Sequence, residues 1–257
     1  RQLMIPSLAP LFQGAFASYA PMLRLAAAGE PALPLVALFE PDALRRQLHR
    51  FRPDLQGEDE RALLSIWSKY YFLYLVPPVL GANLILQRSL PIHPSAMHLE
   101  LNQEGLPSCF VLEHEGASVP VGAHPLTRFE PLIRENMETV ISGWQQALGL
   151  SPRVLWSNAG RYIRWFLGEL EKAGLPAMMW QPGKAILECE TFADGTANPL
   201  AGAYRERLNQ NTGDAMIVRR TCCIRFRLPD MPLCEDCPRL CKKGQMAQAP
   251  TVARQSS

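Results

Sequence analysis

Val218-Arg219-Arg220-Thr221-Cys222-Cys223-Ile224-Arg225-Phe226-Arg227-Leu228-Pro229-Asp230-Met231-Pro232-Leu233-Cys234-Glu235-Asp236-Cys237-Pro238-Arg239-Leu240-Cys241 holds five of the seven cysteines in the chain. How those thiols are read decides what kind of fold carries them. A disulfide scaffold is small, secreted and spreads its cysteines along its length. Here Cys109 and Cys189 stand alone, the rest crowd one end, and 257 residues can bury a core without covalent staples. The expectation is a hydrophobic core in a reducing compartment that carries a thiolate loop near its C-terminus.

Four nearby thiolates suit zinc or an iron–sulfur cluster, because soft sulfur ligands select those metals. A tetrahedral zinc site is usually built from two C-x2-C knuckles, and only Cys234-Glu235-Asp236-Cys237 is one. The other half, Cys222-Cys223, is a vicinal pair. Neighbouring side chains of an extended backbone point to opposite faces, so this pair needs a bent backbone or a cofactor with more than one metal atom. Spacing therefore favours [2Fe-2S] and leaves structural zinc and a dithiol switch open. His93, His98, His114 and His124 have no ligand-like spacing.

Working outward, the net charge of +2 and the 19% of charged residues exclude a general nucleic-acid binder. No G-x-G-x-x-G or P-loop pattern is present, so electrons would come from a separate donor. The N-terminus has a faint signal-peptide look, but its prolines interrupt the apolar run. The chain starts at Arg1, so preceding residues are to be expected. Tyr70 to Leu86 is apolar, yet Pro77-Pro78 divides it and it falls short of the ~20 residues of a membrane span, so it reads as a core segment.

The periodicity predicts helices over Leu8 to Ala28, Pro41 to Phe51, Glu58 to the double proline, Val79 to Gln87 and Leu126 to Leu148. The Pro31 to Pro34 segment reads as a linker. Two runs, His98 to Asn102 and Cys109 to His114, flank a Gly-containing turn and predict a β-hairpin. Ser151-Pro152 opens another helix, which Ser157 to Gly160 is expected to break before a further helix runs to Gly174. Ala201 to Leu208 reads as a short helix and Ala215 to Val218 as a strand; Gln181 to Phe192 is ambiguous. The fold class is α+β, predominantly helical, with a small antiparallel sheet and a C-terminal iron–sulfur-binding loop. Its expected parts are a helical region 1–90, a hairpin-plus-helical region 91–214, a cluster-binding segment 215–241 and a disordered polar tail 242–257.

Cys-Cys, ten residues, Cys, two residues, Cys resembles the C-terminal signature of the FhuF-type siderophore-iron reductases. The surrounding Val218 to Cys223 and Arg225 to Pro229 are similar too, as are Leu155-Trp156-Ser157-Asn158, Trp165-Phe166-Leu167 and Val76-Pro77-Pro78. The resemblance runs from about residue 55 to Cys237. It implies a cytoplasmic enzyme that carries [2Fe-2S] on Cys222, Cys223, Cys234 and Cys237 and reduces ferric siderophores, notably hydroxamates. It also implies a soluble donor such as a ferredoxin or a flavodoxin-type reductase system. Cys241 departs from the pattern and reads as a spare thiol in a fraying tail.

Arg219, Arg220, Arg225 and Arg227 are placed to favour the more negative, reduced cluster, to guide an acidic donor or to hold an anionic chelate. Trp156 and Asn158 are candidates for a substrate pocket, with a core tryptophan and a capping asparagine as the plainer reading. A monomer is expected, and peripheral contact with the cytoplasmic face of the inner membrane is compatible with the apolar segment. A structural-zinc binding module and a non-redox siderophore-binding accessory are the alternatives.

Overall fold

One long helix crosses the middle of the protein, and the other elements are layered on it. The computed structural model describes residues 5–27 and 33–242. The Pro31 to Pro34 linker falls largely outside these residues, as do the end of the first expected helix and the tail beyond Lys242.

Helix α1 spans Pro41–Phe51, as its proline start and amphipathic spacing predict. Helix α2 spans Glu60–Leu86 and begins where the Asp59 carboxylate accepts from the backbone N–H groups of Arg61 and Ala62. It runs unbroken through Pro77-Pro78 rather than ending there. A proline costs an internal helix hydrogen bond, but both prolines are buried, in a helix that packs along α4 (Pro152–Lys172). By length and composition α2 could cross a membrane, yet 67% of its most apolar window is buried within the fold. It is the core helix.

The expected hairpin is present as β4 (Met97–Leu101) and β5 (Pro107–Leu112), antiparallel with Leu99 opposite Phe110. Its turn contains Gly105 at φ +73, whose carbonyl accepts from Trp67 Nε1 of α2 at 2.9 Å. A side chain there would meet Gln47 at 2.9 Å. The hairpin is widened by β1 (Leu23–Leu25), parallel to β5, and β2 (Leu33–Pro34), antiparallel to β4, giving the order β1-β5-β4-β2. A two-residue pair, β3 (Arg88–Ser89) with β6 (Ala117–Ser118), closes the end of α2.

Strand β1 lies inside the region expected as the first helix, and the residues before it form 3-10 turns at Pro6–Leu8 and Gly14–Met22. Pro10, Gly14 and Pro21 interrupt the α-helical hydrogen bonding there. The helical stretch before Gly149 has a 3-10 turn at Thr127–Phe129, a π turn at Pro131–Met137 and helix α3 over Glu138–Leu148. Gly149, at φ +69, ends it as predicted. Trp67, Tyr71 and Trp144 pack edge-to-face, with centroids 5.5 Å and 5.2 Å apart, and form the centre of the core.

Two further departures bear on the site. Helix α4 does not break at Ser157 to Gly160, because the Ser157 and Asn158 side chains bond to other elements instead of capping a new helix. The expected helix at Ala201 to Leu208 is β7 (Tyr204–Leu208), paired antiparallel with the anticipated β8 (Ala215–Arg219), with Tyr204 opposite Arg219. Alternating Arg205, Arg207 and Tyr204, Glu206 suits a solvated ribbon. The ambiguous Gln181 to Phe192 region opens with short helical turns through Glu188. Predominantly helical α+β describes the whole.

Candidate metal centre

Strand β8 leads directly into the cysteine loop, which two helices support from beneath. From α4, Ser157 Oγ donates to the Thr221 carbonyl at 2.8 Å. From α2, Ser65 Oγ donates to the Cys223 carbonyl at 2.6 Å. The next residue, Ile224, has φ +53, an unusual conformation for a β-branched side chain. This is the bend that the vicinal pair requires. The Ile224 N–H lies 3.4 Å from Cys222 Sγ, and Cys237 N–H closes the C-x2-C knuckle on the Cys234 carbonyl at 3.1 Å.

The four sulfurs form two pairs. Cys222 Sγ is 3.8 Å from Cys237 Sγ, and Cys223 Sγ is 3.4 Å from Cys234 Sγ. A tetrahedral metal with sulfur at about 2.3 Å separates two of its ligands by roughly 3.8 Å, so each pair has the span of two ligands on one metal atom. Two pairs joined through a vicinal backbone fit a two-metal cofactor better than a single zinc. Cys241 is buried, not frayed, and its thiol pairs with none of the four among the described residues.

The electrostatics fit an anionic centre. Lys69, on α2 one turn beyond Ser65, is buried and places Nζ 3.0 Å from Cys223 Sγ and 3.4 Å from Cys234 Sγ. Arg219 has no exposed surface, and its Nη2 has no hydrogen-bond partner among the described residues. Burial works against the Arg219 charge, but Asp236 and then the Cys223 and Cys234 sulfurs raise its pKa overall. Cys223 is held below the ordinary thiol range, first by hydrogen bonds from Cys222 and Cys234 and, against its burial, by Lys69 and Arg219. As its donors, Cys222 and Cys234 are pushed up. Arg219 has Asp236 as a counter-charge, but the groups that the buried Lys69 ammonium meets are the Cys223 and Cys234 sulfurs, so a negatively charged thiolate group suits this pocket.

A network anchors these charges. Asn158, wholly buried on α4, donates to the Ser65 carbonyl at 2.9 Å and to Ser68 Oγ at 3.0 Å, and its Oδ1 accepts from Arg219 Nη1 at 3.0 Å. Asp236, inside the knuckle, is 3.2 Å from Arg219 Nε, pairs with Arg161 of α4 and accepts from the Tyr204 hydroxyl at 2.9 Å. Gly160 lets the Ala203 methyl approach α4; a side chain there would meet it at 3.1 Å.

The nominated residues thus separate. Cys222, Cys223, Cys234, Cys237 and Arg219 come together. Arg225 bonds the Pro232 carbonyl beside them. Arg227 is at the surface, 3.2 Å from Asp59, and Arg220 is exposed, with its guanidinium over the Gly202 turn. Trp156 packs on the core, and Asn158 holds Arg219 from inside rather than meeting a ligand. Lys69, Ser65, Arg161 and Asp236 were not anticipated. One signal was available: Lys69 is the only charged residue between Ala62 and Gln87, and a lone charge on a buried helix needs a partner.

Four paired thiols over two buried cations define the thiolate centre of a metalloprotein. Residues 219–239 match the family described as FhuF 2Fe-2S C-terminal domain, and residues 65–216 match the ferric iron reductase FhuF-like transporter family. A protein of Escherichia coli (strain K12) named ferric siderophore reductase is 31% identical over 193 residues, covering 74% of this chain and 70% of that one. The protein is an iron–sulfur oxidoreductase with a [2Fe-2S] cluster, and the chain belongs to the FhuF family of siderophore reductases. Its fold is similar to that of the ATP-bound aerobactin synthetase IucA from a hypervirulent pathotype of Klebsiella pneumoniae, with TM-score 0.50 and 13% identity over 65% of this chain. The chain spans only 36% of the synthetase, and that likeness concerns fold alone.

Proposed function

We propose that this chain reduces Fe(III) bound by hydroxamate-type siderophores in the cytoplasm, and that Cys222, Cys223, Cys234 and Cys237 hold its [2Fe-2S] cluster. The observation that carries this reading is the division of the four sulfurs into two pairs, with Lys69 on one member of the vicinal pair and on Cys234. When bound, the cluster supplies a carrier that accepts and releases one electron at a time. Around it the chain's own groups have distinct tasks. Lys69 and Arg219 lower the energy of added negative charge, while Ser65 and Ser157 fix the bend that presents the thiols. Hard Fe(III) is held by hydroxamate oxygens, and one added electron makes it softer and less charged, so the chelate loosens and Fe(II) leaves. A soluble donor such as a ferredoxin or a flavodoxin-type reductase system supplies the electrons. Exposed Arg220 and Arg227 are suited to steering an acidic donor. We take the working form to be a monomer, with any inner-membrane contact peripheral.

The test is an anaerobic visible and EPR spectrum before and after dithionite, followed by a ferric trihydroxamate with a Fe(II) trap. The expected result is colour that bleaches to a paramagnetic state, recovers on adding the chelate and yields trapped Fe(II). A colourless protein with stoichiometric zinc would overturn the cluster assignment. Bleached colour that does not return would overturn the reductase assignment.

A further inference from the structure

A hollow of about 460 Å³ opens on the surface directly over Cys234. Its other lining includes Arg52, Lys69, Tyr70, Arg161, Tyr162 and Arg225. Of the ionisable groups around it, four are cations and two are phenols, and Glu235 is the single carboxylate. Lys69 already faces the thiols and Arg161 already pairs with Asp236, so Arg52, Arg225 and the two phenols are the groups left to offer donors to a ligand with acceptor oxygens. Arg52 is half-buried and uses two N–H groups on Asp54, and Arg225 uses one on Pro232, from the five that each guanidinium carries. Phe51 and Tyr70, packed edge-to-face at 5.6 Å, give the hollow an apolar wall.

We propose that this hollow is the chelate site. A ferric hydroxamate presents a shell of oxygen acceptors on an aliphatic frame; guanidinium and phenol donors match the first, and aromatic rings match the second. The proposal rests on the reductase reading given above and locates its substrate. It sets the chelate beside Cys234, a nominated cluster ligand that lines the hollow, so the electron has a short route from the thiolate centre to the iron. A second hollow of about 770 Å³, beyond Arg161, Tyr162 and Glu235, is larger, but none of the four signature cysteines lines it. Its lining includes Lys184, whose ammonium lies 4.9 Å from the Trp180 ring centre. The concavity and volume of the first hollow suit a small molecule, whereas a donor protein needs a broader surface.

Calorimetry with the gallium(III) complex of a neutral trihydroxamate, which cannot be reduced to a divalent ion under these conditions, reads binding separately from turnover. Arg52→Ala and Arg225→Ala should each weaken binding about tenfold, the loss of one charge-assisted hydrogen bond, while Lys184→Ala in the second hollow should leave it unchanged. Wild-type visible absorption in each variant reports an intact cluster. Arg52→Ala, which changes a residue outside the cysteine loop, keeps the test valid should Arg225→Ala lose the cluster. Wild-type affinity in both arginine variants, with the wild-type protein still turning over the ferric complex, overturns the site and leaves the reductase reading standing. Weaker binding in Lys184→Ala alone moves the chelate to the second hollow. Slower reduction by a ferredoxin with unchanged gallium binding would make this face the donor's. A wild-type protein that neither binds the gallium complex nor reduces the ferric one refutes the reductase reading itself.

Discussion

The aromatic centre of the core and the cysteine loop are both buried, but different forces hold them. Trp67, Tyr71 and Trp144 exclude water with apolar surface, which needs no partner of particular charge. The loop from Thr221 to Cys241 has a small apolar cluster around Leu240 and Leu233 and sends Ile224, Leu228 and Met231 onto the main core. Its cysteine end is tied down by Ser65, Ser157, Lys69 and the Asn158–Arg219–Asp236 network. The core should therefore fold whether or not the cluster is present, while the loop should depend on it. The thiolate centre is a polar module docked on an apolar platform.

That contrast can be broken in four ways. The largest effect is expected from Cys223→Ser, which should abolish the cluster's visible absorption while far-UV circular dichroism and the main thermal transition stay close to wild type. A global loss of structure would mean that the cluster also nucleates the core. Trp67→Ala should act in the opposite sense, costing about 3–5 kcal/mol of global stability in a denaturant titration, since it empties the core and removes one of the two donors to the Gly105 carbonyl, leaving Gln47. A cost below 1 kcal/mol would show that the aromatic centre is less tightly packed than its burial implies.

Asp236→Asn removes the counter-charge of the buried Arg219 and should destabilise the protein by about 3 kcal/mol, concentrated in the loop. Hydrogen exchange across residues 218–241 reads it; unchanged protection there would show that the thiolates alone satisfy Arg219. The smallest effect is Lys69→Met, which keeps the packing and removes the ammonium from two sulfurs. The cluster potential should fall by about 60 mV for each tenfold loss of preference for the reduced form. An unaltered potential in a spectroelectrochemical titration would reduce Lys69 to a packing residue.

Some elements were legible along the chain because their signals are local. The hairpin at Met97–Leu112, the stop at Gly149 and the start of α1 each depend on neighbours within a few residues. So does the thiol spacing, whose vicinal pair called for the bend now seen at Ile224. Three readings went astray where distant contacts outweighed local preference. Pro77-Pro78 would end an exposed helix, but in α2 both are buried in the core. Ser157 to Gly160 would recap a helix, but their side chains and small size serve the cysteine loop and Ala203. Residues 204–208 become a strand because β8 offers an antiparallel partner.

By itself, then, the sequence pointed to a thiolate centre on a large apolar core, and its resemblance to a family nominated the four cysteines to examine. Only the tertiary structure decided what surrounds them. Lys69 and Cys223 are 154 residues apart in the chain and 3.0 Å apart in space; Asn158 reaches Arg219 across 61 residues. Ligand spacing is legible here because the four nominated thiols lie within sixteen consecutive residues. The charges that tune such a centre can come from anywhere, because electrostatic energy depends on distance through space and on burial, and neither is fixed until the helices have packed.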